Sequence, residues 1–194
     1  MRRAKPLAAV ALIVAVAIAV WFETRRPFPS DRTPEGAYLR IALGIDEGRV
    51  RDVFPYLETD AQWAAFTIRD ARAKASALVR ASYPKGQGED LLKAYGPLGD
   101  TPDGANAFAW IAAQRGFVAQ LRRDLSGVAK VDLEGERASV VTVRGTRYAF
   151  RKRDNGMWGL TLFTAQLLAE ADRASRDLAV VTAAAEDYDR APRP

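Results

Sequence analysis

Three glycine-containing turns between residues 128 and 162 limit the possible folds more than any other feature of the chain. The turns are Glu134-Gly135-Glu136, Arg144-Gly145-Thr146 and Asp154-Asn155-Gly156. The segments that they separate are short, and apolar side chains alternate with polar ones in the manner of strands with one buried face. Tight turns between such strands predict an antiparallel meander of three to four strands.

The chain on both sides of this meander has the spacing of amphipathic helices. Before the meander, apolar residues recur at three- and four-residue steps, and a long helix is expected after it. Thr33-Pro34-Glu35 opens the first helix, and Thr59 with Gln62 has the pattern of a capping box. The predicted helices cover residues 34–45, 49–57, 59–82, 89–95, 106–125 and 164–188. The order predicts an α+β fold, with helices packed on one face of a curved sheet.

An uncharged run over residues 7–22 follows three basic residues at the N-terminus. A helix of this length rises about 24 Å, close to the thickness of the hydrocarbon core of a bilayer. Trp21 and Phe22 would lie at the interface, and basic residues before a span favour a cytoplasmic N-terminus. The sequence therefore predicts a cytoplasmic segment over residues 1–5 and a single transmembrane anchor over residues 6–22.

A cleaved signal peptide is the alternative interpretation of this segment. Ala17-Ile18-Ala19 fits the pattern of small residues before a cleavage site, which would release a secreted protein. The apolar run continues beyond Ala19 through Trp21 and Phe22, which favours a retained anchor. Both interpretations export the rest of the chain, and the anchored one places it on the periplasmic side of the inner membrane.

The remaining chain divides into three parts. Residues 23–33 contain Pro27, Pro29 and two adjacent arginines, which is typical of a stiff, extended linker. Residues 34–188 have the length and apolar content of one domain with its own core. Residues 189–194 are expected to be a disordered tail.

Two residue types that are important in catalysis are absent, because the chain has neither histidine nor cysteine. This excludes disulfides, thiolate chemistry, and His-dependent triads and metal sites. No phosphate-binding loop or nucleophile elbow is present, so we predict no catalytic site, no metal site and no cofactor. The net charge of +5 includes three charges at the N-terminus, and the remainder does not indicate a nucleic-acid-binding protein.

A basic cluster near the third predicted strand is a candidate contact for an anionic partner. Within a strand, two of its members would share the face opposite Tyr148 and Phe150. The simpler interpretation is a solvated face whose charges prevent edge-to-edge pairing. The candidate residues are Arg144, Arg147, Arg151 and Arg153.

Four aromatic residues on predicted apolar faces are candidates for the lining of a ligand cavity. They are Tyr38, Trp63, Trp110 and Trp158. Aromatic residues on such faces more commonly fill a core. The long C-terminal helix is a further candidate surface, for a protein partner or for self-association. It can equally serve to close the fold of its own domain.

Several short motifs resemble those of the nuclear-transport-factor-two-like family. They are Glu35-Gly36-Ala37-Tyr38, Gly48-Arg49-Val50, Gly135-Glu136-Arg137-Ala138-Ser139-Val140 and Asp154-Asn155-Gly156-Met157-Trp158. The resemblance covers about residues 33–162, and similar bacterial proteins are membrane-anchored. It implies a cone of helices around an antiparallel sheet. No functional residue carries over, because catalytic members of the family commonly use Asp/His pairs.

These features favour a membrane-anchored extracytoplasmic domain that binds a protein partner in the cell envelope. The alternative is a domain that binds a small apolar ligand in a cone-shaped pocket, with isomerase- or hydrolase-like chemistry. A buried carboxylate that faces a cavity would favour the alternative, and a filled core would favour the binding domain.

Overall fold

The computed structural model describes residues 28–191, which form an α+β structure. The helices are α1 (Pro34–Asp46), a 3₁₀ helix (Val50–Tyr56), α2 (Thr59–Ser82), α3 (Glu89–Gly99), α4 (Gly104–Gln114), α5 (Phe117–Asp124) and α6 (Thr164–Arg190). The strands are β1 (Val128–Glu134), β2 (Arg137–Thr142), β3 (Arg147–Lys152) and β4 (Trp158–Leu160). The predicted α+β class, the antiparallel meander and the long C-terminal helix are confirmed.

The predicted N-terminal segments lie outside the described residues. These are the cytoplasmic segment 1–5, the anchor 6–22 and the first part of the linker, 23–27, and residues 192–194 of the predicted tail also lie outside. Across residues 28–191, none of the helices combines the length and the apolar character that crossing a bilayer requires.

The sheet is antiparallel, with the strands in the order β1-β2-β3-β4. Its inner face carries Val140, Tyr148, Phe150 and Leu160, which are all buried, and α1 packs against this face. The opposite, outer face is exposed at Arg147, Ala149 and Arg151. Since cross-strand partners lie on the same face, the pairing of Arg137 with Arg151 places Arg137 on the outer face as well.

The C-terminal helix α6 packs along α2. Its apolar stripe of Leu167, Ala171, Ala174 and Val181 is buried. The stripe is therefore occupied within the chain. Association with a second copy through α6 would have to use its other face, which carries the exposed Leu168 and Val180.

The buried face of α2 consists mainly of small residues: Ala61, Ala64, Ala65, Ile68, Ala71, Arg72, Ala75, Ser76 and Val79. Close helix packing through alanines leaves the large aromatic residues at the edge of the contact. Trp63 was predicted on the apolar face, and that prediction is wrong, because the residue is 67% exposed.

Three local predictions need correction. The single helix predicted over 106–125 is two helices, because Gly116 adopts a left-handed φ of 72° between them. The predicted capping box is not formed, since the Gln62 side chain donates to the carbonyls of Phe54 and Leu57. The α6 helix reaches Arg190, two residues beyond its predicted end.

Residues 28–33 are not the extended spacer that was predicted. The indole nitrogen of Trp158 donates to the carbonyl of Arg32 at 3.1 Å, and Thr33 caps α1 by accepting from the amide of Gly36. Gly36 lies so close to this segment that a Cβ there would be 2.0 Å from the carbonyl oxygen of Ser30. The segment is therefore part of the packed domain.

The hydroxyl of Tyr148 is buried and has no hydrogen-bond partner among the described residues. We expect Tyr148→Phe to raise the free energy of unfolding by about 1 kcal/mol, because an unsatisfied buried hydroxyl is removed. Tyr38→Phe is the matched control, since the Tyr38 hydroxyl donates to the Ser126 carbonyl at 2.7 Å and its loss should destabilise. Urea unfolding of both variants measures whether the free energy of unfolding rises or falls in each. A lower free energy of unfolding in Tyr148→Phe would contradict this account.

The same residue predicts a loss of stability in alkali. Burial, with smaller contributions from Tyr38 and Asp124, raises the pKa of Tyr148 to about 12, whereas the ordinary value is 10.0. The proton is held more tightly in the folded state, so this contribution to stability is complete below pH 10 and is lost as the pH rises toward 12. Unfolding measured at pH 9 and pH 11 should show a smaller decrease for Tyr148→Phe than for the natural chain.

Candidate functional site

A cleft of about 500 Å³ lies between the outer face of the sheet and the first turns of α6. We call it the outer cleft. It is open to solvent, and both charged and small side chains line it. They include Glu58, Arg137, Ala149, Arg151, Thr164 and Leu168.

The absence of a side chain at Gly159 brings Glu58 into this cleft. Leu57 forms a parallel bridge with Leu160, and the amide of Glu58 donates to the Leu160 carbonyl at 3.1 Å. A Cβ at Gly159 would be 2.6 Å from the Cα of Glu58, which is too close for any other residue type. The glycine therefore allows the start of α2 to lie directly on β4.

Glu58 is a buried carboxylate, with 5% of its surface exposed. Its Oε1 atom is 2.5 Å from Nη1 of Arg151, and its Oε2 atom accepts a hydrogen bond from the Thr164 hydroxyl at 2.7 Å. The contact with Arg151 is an ion pair by distance, although its angles are not those of a hydrogen bond. A buried carboxylate requires such partners, and Glu58 in turn fixes Arg151 and the start of α6.

The outer cleft suits an anionic group. Arg137 and Arg151 present two guanidinium groups to it. Arg151 is paired with Glu58, whereas Arg137 has no carboxylate partner among the described residues.

Within residues 28–191, no side chain caps the start of α6. The first amides of a helix are commonly unsatisfied donors and carry a partial positive charge. In α6 the amide of Thr164 donates to the Thr161 carbonyl at 3.1 Å, so the donors that face no backbone acceptor among the described residues are those of Ala165 and Gln166. Ala165, in the first turn, also lines the cleft. A carboxylate or phosphate group would satisfy these donors.

The arrangement offers little for catalysis. The Thr164 hydroxyl donates to Glu58, but Arg151 already neutralises that carboxylate. In the part of the chain from 28 to 191, no three acidic side chains converge in the way that a metal ion requires. The site is therefore better suited to holding an anion than to transferring a proton.

The four predicted anion-binding arginines lie in different surroundings. Arg147 and Arg151 share the outer face, and Arg147 is 3.4 Å from Asp132. Arg153 instead donates to the carbonyl of Pro55 and to the side chain of Gln62. Arg144 donates to the carbonyl of Arg123 at 2.6 Å.

Sequence reasoning missed two residues of the outer cleft, Arg137 and Glu58. The first was detectable, since the hairpin around Gly145 aligns Arg137 with Arg151. Nothing local to Glu58 indicates that it is buried, because its burial depends on β4.

The four predicted pocket residues are not brought together around a cavity. Tyr38 and Trp158 lie in the core, and the Tyr38 ring is 5.3 Å from that of Tyr148. Trp63 and Trp110 are exposed on α2 and α4. The space between α1 and the inner face of the sheet is filled by these core side chains.

No family model matches the chain, and no match was found among the curated proteins or the solved structures. The resemblance to the nuclear-transport-factor-two-like family therefore stays a prediction from the motifs.

Removing the charge of Glu58 tests whether it stabilises the cleft. We expect Glu58→Gln to lower the free energy of unfolding by about 2 kcal/mol, because the buried carboxylate that pairs with Arg151 is lost. Glu134→Gln, on an exposed residue of β1, is the control and should change little. Hydrogen exchange of the first turn of α6 should speed up in Glu58→Gln alone. Equal unfolding midpoints for both variants would count against the role of Glu58.

Proposed function

We propose that the chain is a membrane-anchored, extracytoplasmic binding domain that holds an acidic segment of a partner protein in the outer cleft. One observation carries the proposal: the outer face of the sheet is exposed, and a buried glutamate fixes an arginine on it. The buried carboxylate of Glu58 holds the exposed Arg151 side chain in place. An arginine held in this way is a rigid hydrogen-bond donor for recognition of a carboxylate.

The charges of the outer face favour contact at Arg137. Asp132 is next to Lys130 and Arg147, and a hydrogen bond from Lys130, together with both positive charges, lowers its pKa. Asp132 is therefore ionised and compensates its two neighbours. Glu58 compensates Arg151. Arg137 forms no ion pair among the described residues, so it is available to an acidic side chain of the partner. Glu134 is its cross-strand neighbour, but the two side chains are not within ion-pair distance.

The anchor in this proposal rests on the apolar run over residues 7–22 and on the basic residues before it. Anchoring would hold the outer cleft near other envelope proteins and would raise their effective concentration. This compensates for the modest area that a cleft of this size offers to a partner.

Site-specific photo-crosslinking in intact cells tests the proposal. A photoreactive residue at Ala149, in the centre of the outer face, should give one discrete adduct, and the same residue at the exposed Lys93 of α3 should not. The adduct should disappear in Arg137→Glu and persist in Arg176→Glu, which reverses an exposed charge on α6. Mass spectrometry should locate the crosslinked peptide next to aspartate or glutamate residues.

Three outcomes would contradict the proposal. The adduct persists in Arg137→Glu, or Lys93 gives the same adduct, or the adduct has the mass of two copies of this 21.3 kDa chain. The last result would replace the partner protein with self-association.

The alternative function, binding of a small apolar ligand inside a cone, has weaker support. Tyr38, Tyr148 and Phe150 occupy the space where such a ligand would lie, and each is buried in the packed core. The buried carboxylate that the sequence could not locate faces the outer cleft and not this interior.

A further inference from the structure

A second surface, remote from the outer cleft in sequence and built by α1 and the end of α5, has the chemistry of a membrane contact. An apolar groove of about 440 Å³ runs along it. Its walls include Phe28, Leu39, Leu43 and Leu125, and Phe28 and Leu43 are exposed. An exposed apolar groove with a polar rim is typical of a contact site.

Cations border the groove. Arg122 lines it and donates to the carbonyl of Ile45 at 3.1 Å. Arg144 donates through its backbone amide to the side chain of Ser126, which is also part of the lining. Among the described residues, neither guanidinium has a carboxylate partner, because both bond to backbone carbonyls. Their positive charges are therefore fixed in position and not neutralised.

Other charges at this face are largely balanced. Arg40 lies over the ring of Phe28 at 4.9 Å and is 3.8 Å from Asp31, and Arg123 is paired with Asp124. Asp46 is an acidic residue on the groove wall. Arg25 and Arg26 lie three and two positions before Phe28 in the sequence, outside the described residues.

The position of Phe28 indicates what covers the groove. Five residues separate it from the end of the apolar run at Phe22, and the six Cα-to-Cα steps from Phe22 to Phe28 reach at most about 22 Å. If residues 7–22 span a bilayer, the groove lies within that distance of the lipid surface. Aromatic and leucine side chains bordered by arginines match the boundary between acyl chains and anionic headgroups.

We propose that the groove on α1 and α5 contacts an anionic lipid surface, with Phe28 and Leu43 at the acyl boundary and Arg122 and Arg144 on headgroup phosphates. This inference rests on the anchor in the proposed function. It fixes the orientation of the domain on the membrane, and it assigns Arg144 to lipid while Arg137 and Arg151 serve the outer cleft.

The absence of cysteine allows a direct test on the full chain. A single nitroxide label at Leu43→Cys is compared with one at Val180→Cys, an exposed apolar position on α6. Both proteins are reconstituted in vesicles of phosphatidylcholine alone and of phosphatidylcholine with about one third phosphatidylglycerol. Power-saturation spectroscopy measures whether each label collides more with oxygen, which collects in lipid, or with a water-soluble nickel complex.

The label at Leu43 should favour oxygen in the anionic vesicles, and the label at Val180 should favour nickel in both. Charge reversal by Arg122→Glu with Arg144→Glu should return Leu43 to its value in neutral vesicles. Leu43 that favours nickel in both compositions would overturn the inference.

Flotation of the same vesicles after an alkaline carbonate wash separates this outcome from failure of the anchor. If the protein floats with the vesicles while the Leu43 label stays in water, the anchor is present and the lipid contact is not. Protein that is stripped from the vesicles means that the anchor is absent, and the lipid contact proposed from it is then also wrong.

Discussion

Replacement of Gly159 by alanine is expected to lower the free energy of unfolding by about 3 kcal/mol, or to prevent folding. A Cβ at this position would lie 2.6 Å from the Cα and 2.7 Å from the amide nitrogen of Glu58. Both contacts are with backbone, so no side-chain rotation can relieve them. The chain at Leu57 and Glu58 would have to leave β4, and the carboxylate would leave the outer cleft.

Gly127→Ala is the matched control for this variant. A Cβ at Gly127 would be 3.6 Å from the side chain of Val143, which is an ordinary contact. Urea unfolding followed by tryptophan fluorescence should leave Gly127→Ala near the natural chain and shift Gly159→Ala strongly. If Gly159→Ala does not fold, its soluble yield should fall while that of Gly127→Ala does not. Equal stability of the two variants would mean that the start of α2 does not rest on β4.

The second large effect is expected at Arg72, in the contact between α2 and α6. Its guanidinium is 2.6 Å from Asp177 and 3.9 Å from Glu170, and it lies 4.4 Å from the centre of the Tyr95 ring. Only 6% of Arg72 is exposed. Arg72→Met should lower the free energy of unfolding by about 3 kcal/mol, because Asp177 loses its partner while the side-chain volume is largely kept. Glu170 retains its ion pairs with Arg115 and Arg173. Because Asp177 is partly exposed, water can solvate the carboxylate that is left, and we expect a loss at the lower end of the range for buried ion pairs.

Arg176→Met is the control, since it removes an exposed arginine from α6 near Asp177. Its effect should stay within about 0.5 kcal/mol. The destabilisation of Arg72→Met should also shrink when Asp177→Asn is added, because the carboxylate left without a partner is removed. Simple additivity of the two substitutions would show that the ion pair contributes nothing to the packing of α6.

The outer cleft illustrates why a site can be hidden from sequence reasoning. Glu58 and Thr164 are 106 positions apart, and their contact depends on a glycine in β4. None of these three residues is unusual in its own segment. The predicted arginines Arg147 and Arg151 were found because alternation along one strand is a local property. Arg153 follows the same strand, and it packs instead against Gln62 and the 3₁₀ helix.

The sequence by itself determined the features that depend on neighbouring residues. Positive φ angles at Gly135, Gly145 and Gly156 produce the turns of the meander, and glycine adopts such angles without steric cost. The three- and four-residue spacing determined α1 and α2, and the alternation determined which side of β3 is buried. These features need only a few consecutive residues, so the sequence displays them directly.

Only the tertiary structure decided which face of α2 is buried, where Glu58 lies and that α6 closes its own domain. In a helix with many alanines, several faces are equally compatible with burial, and the packing partner selects one. Burial of Glu58 requires a strand from the far end of the chain, and the stripe of α6 is equally suited to a partner protein. Such choices depend on the free energy of contacts between distant segments, which local pattern does not encode.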